Sequence, residues 1–163
     1  MTAILSTCGT YRFRLERDIG PTGPVVALFG VNPSTADATI NDATIRKEIG
    51  FAKRYGWRKI IKGNLHPFRA TDVKELADHI LPTAVVCMND FHVNAIIQDA
   101  DILIPCWGRL DKLPKKYRLW PEILMLKLIA SGKPVLHFGK TKCSQPKHPL
   151  MLGYDTPIVP WNF

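Results

Sequence analysis

Three apolar stretches in this chain stop abruptly at polar or turn-forming residues, and that repetition constrains the fold more than any other feature. Val25 to Val31 runs into Asn32-Pro33-Ser34, Trp57 to Leu65 carries Lys62-Gly63-Asn64 near its end, and Asp101 to Cys106 leads into Trp107-Gly108. Each is too short for a helix and rich in β-branched or aromatic residues, which predicts buried strands. Val135 to Phe138, ending at Gly139, reads as a fourth. In open α/β sheets the ligand crevice lies beyond the carboxyl ends of parallel strands. Asn32, Asn64, Trp107 and the loop after Gly139 are therefore expected to converge on one site.

The segments between these strands read as helices, which makes the sheet mostly parallel, covered on both faces and joined by right-handed crossovers. Ile45, Ile49 and Ala52 recur at i, i+4 and i+7 between an N-cap at Asn41 or Asp42 and a stop at Gly56, predicting a helix from Asn41 to Tyr55. Asp72 and Glu75 form a capping-box pattern opening a short helix that ends near Leu81-Pro82. A further helix is expected to begin at Asn89 and turn Phe91, Ala95 and Ile96 inward. Another has Pro121 at its first position, Ile123, Leu124, Leu126, Leu128 and Ile129 along it, and Gly132 as its stop. Ahead of the first buried strand, Tyr11, Phe13 and Leu15 alternate with Arg12, Arg14 and Glu16, the pattern of a half-exposed strand. Gly20 to Pro24 is a turn inside the domain.

At 163 residues and 46% hydrophobic content, the chain suffices for one good core, so residues 1–163 are read as a single α/β domain, a three-layer sandwich. No apolar run reaches membrane-spanning length, and Met1 to Cys8 lacks the pattern of a signal peptide, so a soluble, cytoplasmic protein is expected, with no membrane partner. Cys8, Cys87, Cys106 and Cys143 are too scattered for a metal-binding pair and read as free thiols; neither metal nor cofactor is expected. The formal charge of +8 favours a polyanionic partner.

Asn32-Pro33-Ser34-Thr35-Ala36-Asp37, Asn41-Asp42-Ala43-Thr44-Ile45-Arg46, Asn64-Leu65, Arg69-Ala70-Thr71, Trp107-Gly108 and His148-Pro149-Leu150 resemble, over nearly the whole chain, an uncharacterised family of small bacterial and phage proteins. The same landmarks, in the same order, are similar to the uracil-DNA glycosylase superfamily. Its first motif is a strand ending in Gly-x-Asp/Asn-Pro, its middle strands end in Asn and in Trp-Gly, and its last motif starts His-Pro. The resemblance implies a uracil-DNA glycosylase-like fold. Asn32 would position the attacking water, Asn64 would read a flipped pyrimidine, and His148 would stabilise charge on the departing base. Ser34 and Thr35 stand where uracil-specific members carry an aromatic, and Leu150-Met151-Leu152 replaces their Ser-rich continuation after His-Pro. The base is left open.

Breaking an N-glycosidic bond requires a placed water and hydrogen-bond donors aimed at the base. Asn32 orients water without accepting its proton, so Asp37 or Asp42 is the candidate carboxylate; the competing readings are a turn at Asp37 and a helix cap at Asp42. Asn64 offers donor and acceptor to a base edge, and Ser34 and His66 lie within reach of the same crevice. Trp107 either stacks on a base or belongs to the core. Arg109, Lys112, Lys115 and Lys116 follow Trp107-Gly108, and Lys140, Lys142 and Lys147 precede His148. These two basic loops are expected to clamp the DNA phosphates, single- or double-stranded, with Leu150 or Met151 as an apolar wedge behind a flipped nucleotide. The function expected is a monofunctional DNA base glycosylase. The alternatives are a non-catalytic protein that binds a small nucleotide or nucleic acid in the same pocket, and a protein-interaction module with a basic face.

Overall fold

The computed structural model describes residues 1–162. Its centre is a five-stranded mixed sheet in the order β1-β2-β4-β3-β5, formed by Thr2–Leu5, Arg12–Asp18, Lys59–Asn64, Val25–Gly30 and Ile102–Pro105. β3 pairs in parallel with β4 and with β5. The amino-terminal pair adds antiparallel strands at one edge, β1 on β2 and β2 on β4. Chain order alternates strand and helix through α1 (Ala43–Tyr55), α2 (Thr83–Asp99) and α3 (Trp120–Ala130).

Burial follows from this layering. Val26, Leu28, Ile60 and Ile104 turn toward Phe51 and Ala52 of α1, while Ala27, Phe29, Ile61 and Leu103 meet Val93 and Ile96 of α2 and Leu124 and Leu128 of α3. One helix thus covers one face and two cover the other, the arrangement of an α/β sandwich. Among the described residues, no helix is long and apolar enough to cross a membrane. All four cysteines are unpaired.

Four expectations need correction. β2 is not half-exposed: Arg12, Phe13, Arg14, Leu15 and Arg17 are all buried. The arginines are tolerated because each is neutralised or hydrogen-bonded, Arg14 by Asp99 at 2.7 Å and Glu16 at 2.5 Å, and Arg17 by the carbonyls of Asp37 and Ile40. α2 begins at Thr83, with Asn89 buried in its interior; Phe91 faces solvent, and the inward residues are Asn89, Val93, Ile96 and Ile97. Asp72 and Glu75 do form a capping box, but on a single 3-10 turn, Val73–Leu76. The fourth strand shrinks to β6 (Leu136–His137), paired antiparallel with β7 (Val159–Pro160) and touching β5 through one parallel bridge, Leu103 with Val135.

Candidate functional site

Beyond the carboxyl ends of β3, β4 and β5 lies a cleft of about 620 Å³, within the range of about 300–1,000 Å³ typical of ligand pockets. Its walls include Asn32, Ser34, Asp42, Asn64, Trp107, Arg109, Lys112, Lys147, His148 and Leu150, with Met151 at the rim. The convergence expected from the strand ends is therefore present.

The loop bearing Asn32 and Asp42 is held from beneath by β2 and its neighbourhood. Arg12 donates to the Ala36 carbonyl at 2.7 Å, Arg17 to the Asn41 side chain at 2.7 Å, and Arg69 to the Thr35 carbonyl at 3.1 Å. Asn32 Nδ2 donates to the carbonyls of Ala70 (2.7 Å) and Pro33 (3.0 Å). This fixes the amide and leaves Oδ1 without a partner among the described residues, on a residue that lines the cleft. Asp42 caps α1, Oδ1 accepting from the Ile45 amide at 2.9 Å; its other oxygen bonds none of the described residues. Asp37 closes a turn instead: Oδ1 accepts from the amides of Thr39 and Ile40 and from the Thr39 hydroxyl. It does not line the cleft, and those hydrogen bonds hold its carboxyl below the usual range.

Asn64 is 1% exposed, and neither polar atom of its carboxamide has a partner among the described residues. Such a buried, unsatisfied amide costs about 1–3 kcal/mol unless something binds it. His148 caps the 3-10 turn Pro149–Met151, with Nδ1 accepting from the Leu150 amide at 3.3 Å. That places the proton of the neutral ring on Nε2. Burial, followed by the charges of Lys62 and Lys112, pulls the His148 pKa down to about 4, so the ring is a neutral donor at pH 7.

Sequence reasoning missed the floor of the cleft. Lys62, 4% exposed, donates to Oε1 of the fully buried Glu48 at 2.5 Å and lies 3.5 Å from Cys106 Sγ. Burial pushes the Glu48 carboxyl up and the Cys106 thiol up to about 11. Arg12 also reaches the cleft wall. The signal was available: Glu48 interrupts the apolar stripe of Ile45 and Ala52, and Lys62 follows Ile60-Ile61 in a central strand.

Other assignments change. His66 is fully buried away from the cleft, against Tyr117 and Trp120, with Nδ1 accepting from the Phe68 amide. Trp107 lines the cleft but is 4% exposed and belongs to the core, Nε1 donating to Gln145 at 2.9 Å; little of its ring is open to stack on a base. The basic loops divide. Arg109, Lys112 and Lys147 line the cleft, whereas Lys115, Lys116, Lys140 and Lys142 do not. Lys116 donates to the His79 carbonyl, and Lys140 lies 4.2 Å over the Trp161 ring. Leu150 is partly exposed and Met151 almost wholly so.

Fold and site together define an α/β sandwich with a strand-end ligand cleft that combines neutral amides, a neutral histidine and cations. The chain belongs to the family described as a protein of unknown function (DUF1643), whose model matches residues 12–150. No curated protein and no solved structure matches it.

Proposed function

We propose that this protein hydrolyses the N-glycosidic bond of a flipped pyrimidine, plain or modified, in DNA, as a monofunctional base glycosylase on a uracil-DNA glycosylase-like fold. The observation that carries the reading is the buried, unpartnered Asn64 carboxamide in the cleft, which offers one donor and one acceptor as a pyrimidine edge requires. Asn32 Oδ1 orients the attacking water, and the open oxygen of Asp42 accepts its proton. His148 donates from Nε2 to the departing base. Lys112 and Lys147 meet the flanking phosphates, and Met151 enters the vacated stack. The reading implies a cytoplasmic protein with DNA as its partner.

A second reading, a non-catalytic nucleotide-binding protein, is favoured by the cleft volume of about 620 Å³, which suits an entire nucleotide as well as a base. Labelled duplexes and single strands carrying uracil, thymine mismatches and hydroxymethylated or glycosylated pyrimidines separate the two. Base release that disappears in Asn32→Ala and His148→Ala supports hydrolysis. Tight binding of free nucleotides with no release from any DNA supports the second reading.

A further inference from the structure

A lysine in the middle of a sheet is unfavourable unless its charge is compensated and its donors are used. Of the three N–H groups of Lys62, one goes to Glu48 and one toward the Cys106 sulfur. The third has no acceptor among the described residues, yet Lys62 lines the cleft. Cys106 stays a neutral thiol, since burial pushes it up to about 11, and so leaves the ammonium charge uncompensated on that side.

Gly30 stands directly beside this group. It is the last residue of β3, and its backbone is not left-handed. Backbone geometry therefore does not call for glycine; space does. A Cβ at Gly30 would stand 3.2 Å from Lys62 Nζ and 3.2 Å from Asn64 Oδ1. Its absence spares the ammonium and the carboxamide, which both belong to cleft-lining residues, that crowding at the end of β3.

Resting on the glycosylase reading for the nature of the ligand, we infer that Lys62 is a catalytic residue, donating a hydrogen bond to the base oxygen that gains negative charge as the glycosidic bond breaks. In that step the C–N bond breaks and its electron pair leaves on the base nitrogen, delocalised onto the adjacent carbonyl oxygen. The oxygen of the water held by Asn32 bonds to the sugar carbon, and the water proton passes to Asp42. The base anion departs hydrogen-bonded to Lys62 and His148 and is protonated from solvent. Lys62 remains an ammonium throughout, with Glu48 as its positioning residue.

The cleft then prefers a pyrimidine anion to the neutral base, and this is measurable without turnover. Calorimetric titration of the intact protein at pH 7.5 compares uracil with 5-nitrouracil, which is ionised near neutral pH. Wild type is expected to bind the anion at least about tenfold more tightly, in keeping with the strength of charge-assisted hydrogen bonds. The double variant Glu48→Met/Lys62→Met, which removes both charges of the pair together, is expected to lose that preference. Gly30→Ala, which keeps the ion pair, is expected to weaken binding of both bases. Equal affinities in wild type, no binding of either base, or a preference that survives in the double variant would overturn the inference. If the double variant fails to fold, Gly30→Ala decides, and unchanged binding of the anion overturns it. Should the preference behave as expected while no DNA substrate releases a base, the role of Lys62 in holding an anion stands and the glycosylase reading falls.

Discussion

His66 illustrates how much depends on a single position at a strand end. The sequence places it two residues past Asn64 and so near the crevice. In the structure the Leu65 and His66 amides continue the pairing with β3, donating to the carbonyls of Gly30 and Val31, and the ring enters a box of Phe68, His79, Tyr117 and Trp120. Burial, then the nearby His79 and Lys116, lower its pKa to about 4. With an unfolded value near 6.5, the unfolded chain takes up this proton first as pH falls, so the stability held above pH 6.5 declines toward pH 4. The loss is on the order of 3 kcal/mol for this residue. His66→Phe should make urea-denaturation stability fall less steeply across that window, with the remaining slope shared by His148, His79 and His92, whose pKa values are lowered in the same direction. An unchanged slope would mean that His66 does not contribute. Asn32 and Asn64 were legible because their neighbours mark strand ends, and His148 because it stands in a His-Pro-Leu motif. Lys62 and Glu48 were missed although each interrupts an apolar pattern, because their partnership spans two elements and only folding shows that the two interruptions meet.

At the scale of elements, the parallel strands and α1 were legible: Asp42 caps α1 and Gly56 ends it in the left-handed conformation, φ 68°. The start of α2 was not. Asn89 resembles an N-cap, but its Nδ2 donates to the carbonyls of Asn64 and Leu65, tying the middle of the helix to the end of β4. Tertiary hydrogen bonds replaced a local signal. The same holds for β2, whose arginines read as solvent-facing but brace the loop that carries Asn32. Arg17 is 1% exposed and bonds the carbonyls of Asp37 at 2.5 Å and Ile40 at 3.1 Å, together with Asn41. Arg17→Met should cost about 2–4 kcal/mol, as expected when a buried network loses its donor. Hydrogen exchange should rise first in residues 31–42, and base or nucleotide binding should weaken with it. Uniform destabilisation without local exchange in that loop would show that Arg17 supports the core rather than the site.

For the whole molecule, the charge of +8 says that an anion is favoured but not where it binds. Seven loop cations looked equivalent in sequence; folding brings only Arg109, Lys112 and Lys147 to the cleft. Arg109 is bound through two nitrogens to Asp111, at 3.0 and 2.5 Å, so part of its charge is already spent. If DNA lies over the cleft, two to three phosphates are neutralised there, and the logarithm of the binding constant should fall with the logarithm of salt concentration with a slope of about −2 to −3. Lys112→Gln/Lys147→Gln should bring that slope to between about −1 and zero, whereas Lys115→Gln/Lys140→Gln should leave it nearly unchanged, because those side chains lie elsewhere. Fluorescence anisotropy of a labelled oligonucleotide across a salt series measures both. Equal losses in the two double variants would mean that DNA is held by the general charge of the surface, with the cleft playing no part in seating it. A steep slope in wild type that collapses only with Lys112 and Lys147 would put the phosphates beside His148 and Met151, where a nucleotide must leave the stack to enter the pocket.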